Sequence, residues 1–420
     1  MYPFSETILK TRDHALQKAR EVFQEIDEIS ERNTLRVLEC FRKHQVSDYH
    51  FRTTSGYAYN DVGREKLEAV WADICGTEKA LVRTQFVSGT HALATVLFGI
   101  LRPGDELLSI TGTPYDTMQS VIGYAHESMG SLKEFGITYS EVPMLNNTID
   151  WTSIKTAIKP NTKMVLIQRS RGYSMRSPLT IAEISKACAE IKAVKPDCIC
   201  FVDNCYGEFV DVQEPTAAGA DIIAGSLIKN PGGGIAPTGG YIAGKAHLVD
   251  LAAYRLTAPG IGSEVGASLV DNRLLYQGLF MAPHITAQAL KGAIFSAAFF
   301  SLLGYTTLPA VQDKRSDIIQ AIELGTAEKM IAFCQGLQKY SPVDAHVRPE
   351  PSHMPGYSDP VIMAGGTFVQ GSSIELSADG PLRHPYSVYL QGGLTFEHSV
   401  IAIMGAAQEI EVANKKNQEK

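Results

Sequence analysis

A chain of 420 residues with 45% hydrophobic and 20% charged side chains has the composition of a globular protein able to bury a large core, which excludes disordered and fibrous architectures. With 38 Lys and Arg against 45 Asp and Glu the formal charge is −7, and the cations are scattered, so no footprint for a nucleic-acid backbone is visible. Length suggests two or three folding units, and no low-complexity run is present to act as a long linker.

The first stretch, MYPFSETILKTRDHALQKAREVFQEIDEI, mixes both signs of charge and contains nothing resembling a signal peptide, which points to a cytoplasmic protein. Leu16, Ala19, Phe23, Ile26, Leu35, Leu38 and Phe41 recur at helical spacing, so residues 1–55 read as an amphipathic helical arm with Asn33 as an interruption. Residues 56–304 read as a large α/β unit. Its candidate strands are Ala80 to Arg83, Leu107 to Ile110, Ile137 to Val142, Met164 to Gln168, Cys198 to Asp203, Asp221 to Ala224 and Gly240 to Ala243. Helical patterns such as HALATVLFGIL and LTIAEISKACAEIKAV lie between them, which predicts a mostly parallel sheet. Gly292 to Gly304, the most apolar run, is short for a bilayer span of ~20 residues and follows Lys291, so it reads as a core helix and no membrane is implied. Residues 305–420 read as a smaller α+β unit: a helix from Ser316 to Tyr340, strands at Val361 to Val369, Ser373 to Leu376 and Tyr386 to Leu390, and a last helix from Glu397 to Ala413. Seven cysteines, an odd number, argue for reduced thiols, and the trio Cys198, Cys200 and Cys205 lacks the His or second Cys pair that a metal site requires.

Chemistry enters at the fifth strand, CICFVDNCYGEF, where Asp203 ends an apolar run at the place where open α/β sheets present groups to a ligand crevice. The next strand runs into Ser226 and Lys229 and then a glycine turn. The 26-residue spacing from Asp203 to Lys229 allows one connection plus one strand, so the two can meet. In that apolar, glycine-rich setting, desolvation lowers the Lys229 pKa and favours the neutral amine needed for covalent chemistry with a carbonyl. Ser88-Gly89-Thr90 opens a helix whose N-terminus suits a phosphate, and Tyr115, after the second strand, brings an aromatic face. The G-x-x-x-x-G-K-[ST] spacing of a P-loop is absent, and so is a dinucleotide-binding GxGxxG unit.

In this order, the strings FRTTSGYAYNDVGREKLE, ALVRTQFVSGTHAL, QRSRGYSMR, FVDNCYGEF, GSLIKNPGGG and SSIELSADGPLRHPYSVYLQGGLT resemble the methionine gamma-lyase-like family often called aluminium resistance proteins, within the cystathionine-metabolism group. The resemblance implies a fold-type I enzyme with a mixed seven-stranded sheet and pyridoxal 5'-phosphate as cofactor. It makes Lys229 the residue bound covalently to the cofactor, pairs Asp203 with the pyridine nitrogen, stacks Tyr115 on the ring and gives the phosphate to Ser88, Gly89, Thr90 and Ser226. It makes Arg383 the clamp for the substrate carboxylate and puts Arg171 beside the substrate. Related lyases send a Tyr-x-Arg pair across to a neighbour's phosphate; here GYAYNDVGR offers Tyr57 and Tyr59 with Arg64 displaced, so Tyr57 is expected to cross within a dimer or tetramer. The activity implied is β- or γ-elimination of a thiol from an amino acid such as cystathionine, cysteine or methionine. A pyridoxal-phosphate aminotransferase is the second reading, and a non-catalytic metal-stress binding protein, which the dispersed His residues do not favour, is the third.

Overall fold

The computed structural model describes residues 4–124, 129–354, 357 and 359–418. Seven strands, Lys79–Arg83 (β1), Glu106–Ser109 (β2), Thr138–Glu141 (β3), Thr162–Gln168 (β4), Ile199–Asp203 (β5), Ile222–Ser226 (β6) and Gly240–Gly244 (β7), form one sheet in the order β1-β7-β6-β5-β4-β2-β3. β7 is antiparallel to both its neighbours and the remaining pairs are parallel. All seven strands expected from the sequence are present, within a residue or two. They were legible because both faces of the sheet are buried: Val165, Ile167, Cys200, Val202 and Ile223 enter one apolar cluster, while Met164, Leu166, Ile199, Phe201 and Ile222 enter another. Helices Val62–Cys75, Gly89–Ile100, Asp116–Ile122, Trp151–Ala157, Ile181–Val194 and Ala246–Leu256 (α2 to α7) surround this sheet.

The arm is a single helix, Glu6–Lys43 (α1), with no interruption at Asn33. Asn33 is instead a buried anchor, its Nδ2 donating to the carbonyls of Phe209 (2.9 Å) and Asp211 (3.1 Å). The apolar stripe Ile8, Ala15, Ala19, Val22 and Ile26 packs into one cluster with Ile285, Ala289 and Phe295 of the long helix Asn272–Leu302 (α8), so the arm covers a surface of its own chain. α8 is long and apolar enough by composition to cross a membrane, yet 78% of its apolar window is buried inside the protein.

Beyond α8 a second sheet, ordered β10-β11-β12-β9-β8, is built from Thr306–Leu308 (β8), Gln320–Glu323 (β9), Val361–Ala364 (β10), Ser377–Pro381 (β11) and Ser387–Gln391 (β12), with helices Ala327–Lys339 (α9) and Phe396–Gln418 (α10). Here the expectations need correction. The helix expected over Ser316 to Tyr340 is strand β9 followed by α9; Gly325, at φ 81°, turns the chain between them, and the Thr326 side chain caps α9 at the Lys329 N–H. The strand expected over Ser373 to Leu376 begins instead at Ser377, because the Glu375 carboxylate accepts from the backbone N–H groups of Phe368 and Val369, both at 2.8 Å, and ties the preceding loop.

Candidate active site

Parallel strands deliver their carboxyl ends to one edge of the sheet. β4, β5 and β6 are paired in register, Gln168 opposite Asp203 and Asp203 opposite Ala224, so Gln168, Asp203 and Ser226 end at a common crevice. Its cavity, about 310 Å³, is lined by Ser88, Gly89, Thr90, Tyr115, Asp203, Ser226 and Lys229 among others. Every residue that the sequence placed at the phosphate, ring and lysine positions within the chain is therefore brought together.

Each is held by local chemistry. The Ser88 Oγ caps α3 by accepting from the His91 N–H at 3.1 Å, leaving the first turn of the helix facing the crevice. Gly89 has no side chain because a Cβ there would stand 3.2 Å from Ser226 Cβ and 3.5 Å from Cys205 Sγ. The Tyr115 N–H donates to Gln168 Oε1 (3.0 Å) and its hydroxyl bonds Thr90 Oγ1 (2.7 Å), so the ring is fixed at both ends. Asp203 accepts from the Cys205 N–H at 3.1 Å, and burial nevertheless pushes its carboxyl above the usual range. Tyr206, in a left-handed turn at φ 70°, presents its ring to the Lys229 Nζ, 3.9 Å from the centroid.

The expected depression of Lys229 is corrected. Burial does work against its ammonium, but Cys205, Tyr206, Asp203 and Tyr115 around it outweigh this and hold it well above the ordinary lysine range. The sequence brought Asp203 to the same crevice, but not Cys205 and Tyr206 beside the amine, and it weighed burial above these neighbours.

Three expected residues lie elsewhere. Tyr57 is 75% exposed and outside the cleft, beside exposed Tyr59, while Arg64 is buried and spends its guanidinium on the carbonyls of Ala58 (3.1 Å) and Gly266 (2.8 Å). Arg383 is half-exposed and paired with Asp359 at 3.1 Å. It lines an adjoining chamber of about 400 Å³ together with Arg171 and Arg176. Arg171 is buried and donates to the Leu308 carbonyl at 2.8 Å, and Arg176 holds the carbonyls of Gln168, Ser170 and Ser177. These last two stitch the loop after β4 to its surroundings. Sequence reasoning missed the far wall of the cleft, which comes from the second sheet: Asp379, Tyr389 and Gln391, with Tyr173 and Tyr206. No local motif marks them, since β11 and β12 bring them in by cross-strand register.

An uncharacterized protein of Bacillus subtilis (strain 168) is 54% identical over 391 residues, covering 93% of each chain. A solved structure from Clostridium novyi NT, described as a carbon-sulfur lyase involved in aluminum resistance, is 49% identical with a TM-score of 0.93, covering 97% of this chain and 96% of that one. The fold is shared more widely: a pyridoxal-5'-phosphate dependent protein from Escherichia coli superposes at a TM-score of 0.62 with 17% identity, over 92% of this chain and 97% of that one. The sequence model of the methionine gamma-lyase family matches residues 8–411, and with a lysine, an aspartate and a helix N-terminus converging on one crevice, the chain belongs to that family.

Proposed function

We propose that the chain is a pyridoxal-phosphate-dependent carbon–sulfur lyase that eliminates a β- or γ-thiol substituent from a sulfur-containing amino acid. The observation that carries this reading is the convergence of Lys229, Asp203 and the start of α3 on one cavity. The residues fit the cofactor: a buried amine for an aldehyde, a carboxyl lifted by burial and so ready for a cationic ring nitrogen, and a helix start whose glycine lets a phosphate approach Ser226. When bound, the cofactor supplies an electron sink for charge at the substrate α-carbon.

The rest is the work of this chain's residues. Asp203, kept as the carboxylate, would hold the ring nitrogen protonated, and with its charge engaged there it would hold the Lys229 ammonium less strongly. The Lys229 Nζ then takes the α-proton as general base and returns a proton later in the cycle. Tyr115, fixed by Thr90 and Gln168, would offer its face to the ring. We assign the substrate carboxylate to Arg383, reached through the adjoining chamber once it leaves Asp359, with Arg171 behind it.

Asp203→Asn tests the ring assignment: cofactor is retained in part while deuterium exchange at the substrate α-carbon slows by about 10²-fold or more. Wild-type exchange in that variant removes Asp203 from the mechanism. The products separate the two cofactor readings, because ketoacid with ammonia reports elimination and accumulation of the aminated cofactor reports transamination.

The reading includes a homodimer or homotetramer with shared sites. Its support is a surface beside the cleft where Tyr57, Tyr59, Val87 and Leu269 are all more than 60% exposed on segments joined by Gly266 N–H to Tyr57 O (3.1 Å) and Gln85 Nε2 to Ala267 O (2.7 Å). The arm gives no such support, since α8 already covers it. A Tyr57→Phe chain mixed with a Lys229→Ala chain is expected to regain part of the wild-type turnover, because one hybrid site receives both intact residues. A fully active monomer in light scattering overturns the shared site.

A further inference from the structure

The walls of the cleft are not electrically balanced. Among its lining residues Lys229 is the one Lys or Arg, against the three carboxylates Asp116, Asp203 and Asp379. Asp203 belongs with the cofactor, and Asp116 sits at the start of α4 with Arg383 acting on its charge. Asp379 has Lys229 as the one cation acting on its charge and, among the described residues, no ion pair. It stands opposite Tyr389 in the β11–β12 register, so the two side chains share a face, and its Oδ2 accepts from Gln391 Nε2 at 3.2 Å. Tyr173, from the loop after β4, helps to stabilise its charge.

Aromatic rings surround this carboxylate. Tyr173 lies 5.2 Å from Tyr389 between ring centroids, and both pack with Tyr206 around Ile319 and Ala321. Tyr206 is the ring that carries the Lys229 Nζ, so the pocket around Asp379 begins one aromatic ring away from the reacting amine. Burial lifts the Asp379 carboxyl to about 6, more than Tyr173, Gln391 and Lys229 together lower it. Rings presented around a carboxylate in a desolvated wall form a receptor for a cation, because the ring faces and the carboxylate attract the same sign of charge. Such a receptor would repel a carboxylate and gain nothing from an alkyl group alone.

We propose that Asp379, Tyr173, Tyr389 and Tyr206 form a subsite for a second, distal ammonium on the substrate. The proposal rests on the lyase reading above and narrows it to amino acids whose departing thiol carries an amine. Asp379 touches that ammonium directly, and Gln391 is a positioning residue that holds the carboxylate.

The test pairs molecules that differ by one charge. Lysine and norleucine, which carry no departing thiol, are titrated into the cofactor-loaded protein by calorimetry. S-(2-aminoethyl)cysteine and S-propylcysteine are compared for kcat/KM. The expected result is at least tenfold tighter binding of lysine than of norleucine and at least a tenfold preference for the aminoethyl thioether, both collapsing toward unity in Asp379→Asn while norleucine and S-propylcysteine are unchanged. Tyr389→Leu is expected to reduce the same preferences with Asp379 intact. Equal binding of lysine and norleucine by the wild type overturns the subsite, whether or not either variant folds. Equal losses for charged and neutral ligands in Asp379→Asn overturn it too, by making Asp379 a general proton donor. A lysine preference that depends on Asp379, found where neither thioether is cleaved, supports the subsite and refutes the lyase reading alone.

Discussion

Lys229→Ala is expected to fold, to bind cofactor only reversibly and to lose turnover by at least about 10³-fold, since one residue supplies both the covalent anchor and the proton transfer. The Nζ is enclosed by Tyr206, Cys205, Asp203 and Tyr115, and among the described residues no second Lys lines the cavity to replace it. Borohydride treatment followed by peptide mass mapping checks the assignment: the label falls on the peptide containing Lys229 in the wild type and is lost in the variant. A label on another lysine, or an unchanged absorbance spectrum in Lys229→Ala, contradicts the role given to this residue. Removing the buried amine leaves a small void, and its cost to folding is offset in part because Asp203 is then free to take up a proton.

Gly232→Ala is expected to destabilise the protein by about 3 kcal/mol and to weaken cofactor retention without touching the cofactor. The turn after Lys229 runs Asn230–Gly232, and a Cβ on Gly232 would overlap the Leu227 carbonyl, with Ala236 Cβ also close at 2.6 Å. The obstacle is backbone, so no side chain can rotate away. On its other side the Gly232 carbonyl lies directly against Gly278 of α8, which blocks escape in that direction. Overpacking of this kind typically costs 1–3 kcal/mol, occasionally more, and the strain falls three residues from the anchor lysine. Denaturant unfolding with and without cofactor measures both effects. A wild-type midpoint with wild-type cofactor retention contradicts the packing account.

The sequence was most legible where burial is two-sided. β4, β5 and β6 read as near-continuous apolar runs ending in polar residues, and Asp203, Ser226 and Lys229 follow from those ends by simple counting. Thr306–Leu308 and Gln320–Glu323 were not legible as strands, because each is only three or four residues long and IIQAIEL satisfies a helical period as well as an extended one. What decides for β9 is its pairing with β12, in which Ala321 meets Tyr389 across 68 positions of sequence. The same distance hides Asp379 and Tyr389 as site residues. The charge state of Lys229 was misread for a related reason: an apolar neighbourhood is visible in a string of letters, whereas how closely Asp203, Cys205 and Tyr206 gather around the amine is not. The arginines of QRSRGYSMR were visible, but whether they face the cleft or brace a loop depends on where the backbone carbonyls lie.

The continuity of α8 bears on how the cleft opens. Its first half, with Leu275, Tyr276 and Leu279, is embedded in the apolar cluster of the seven-stranded sheet, and its second half, from Ile285 to Phe300, is embedded in the cluster of the smaller sheet. At 1.5 Å per residue its 31 residues form a strut of roughly 46 Å fixed at both ends. Even at Pro283, where the helix lacks a backbone hydrogen bond between its two halves, bending the strut would expose apolar surface in both cores, which opposes a clam-like opening. Room for a substrate to enter is then left to the segments that cross between the bodies, chiefly the loop of residues 169–177, whose Tyr173 stands in the cleft wall and whose Arg176 and Arg171 tie it to Gln168 of β4 and Leu308 of β8. Loosening those ties, as in Arg176→Ala, is expected to change the rates of substrate entry and product release more than the chemistry between them, which pre-steady-state kinetics would read.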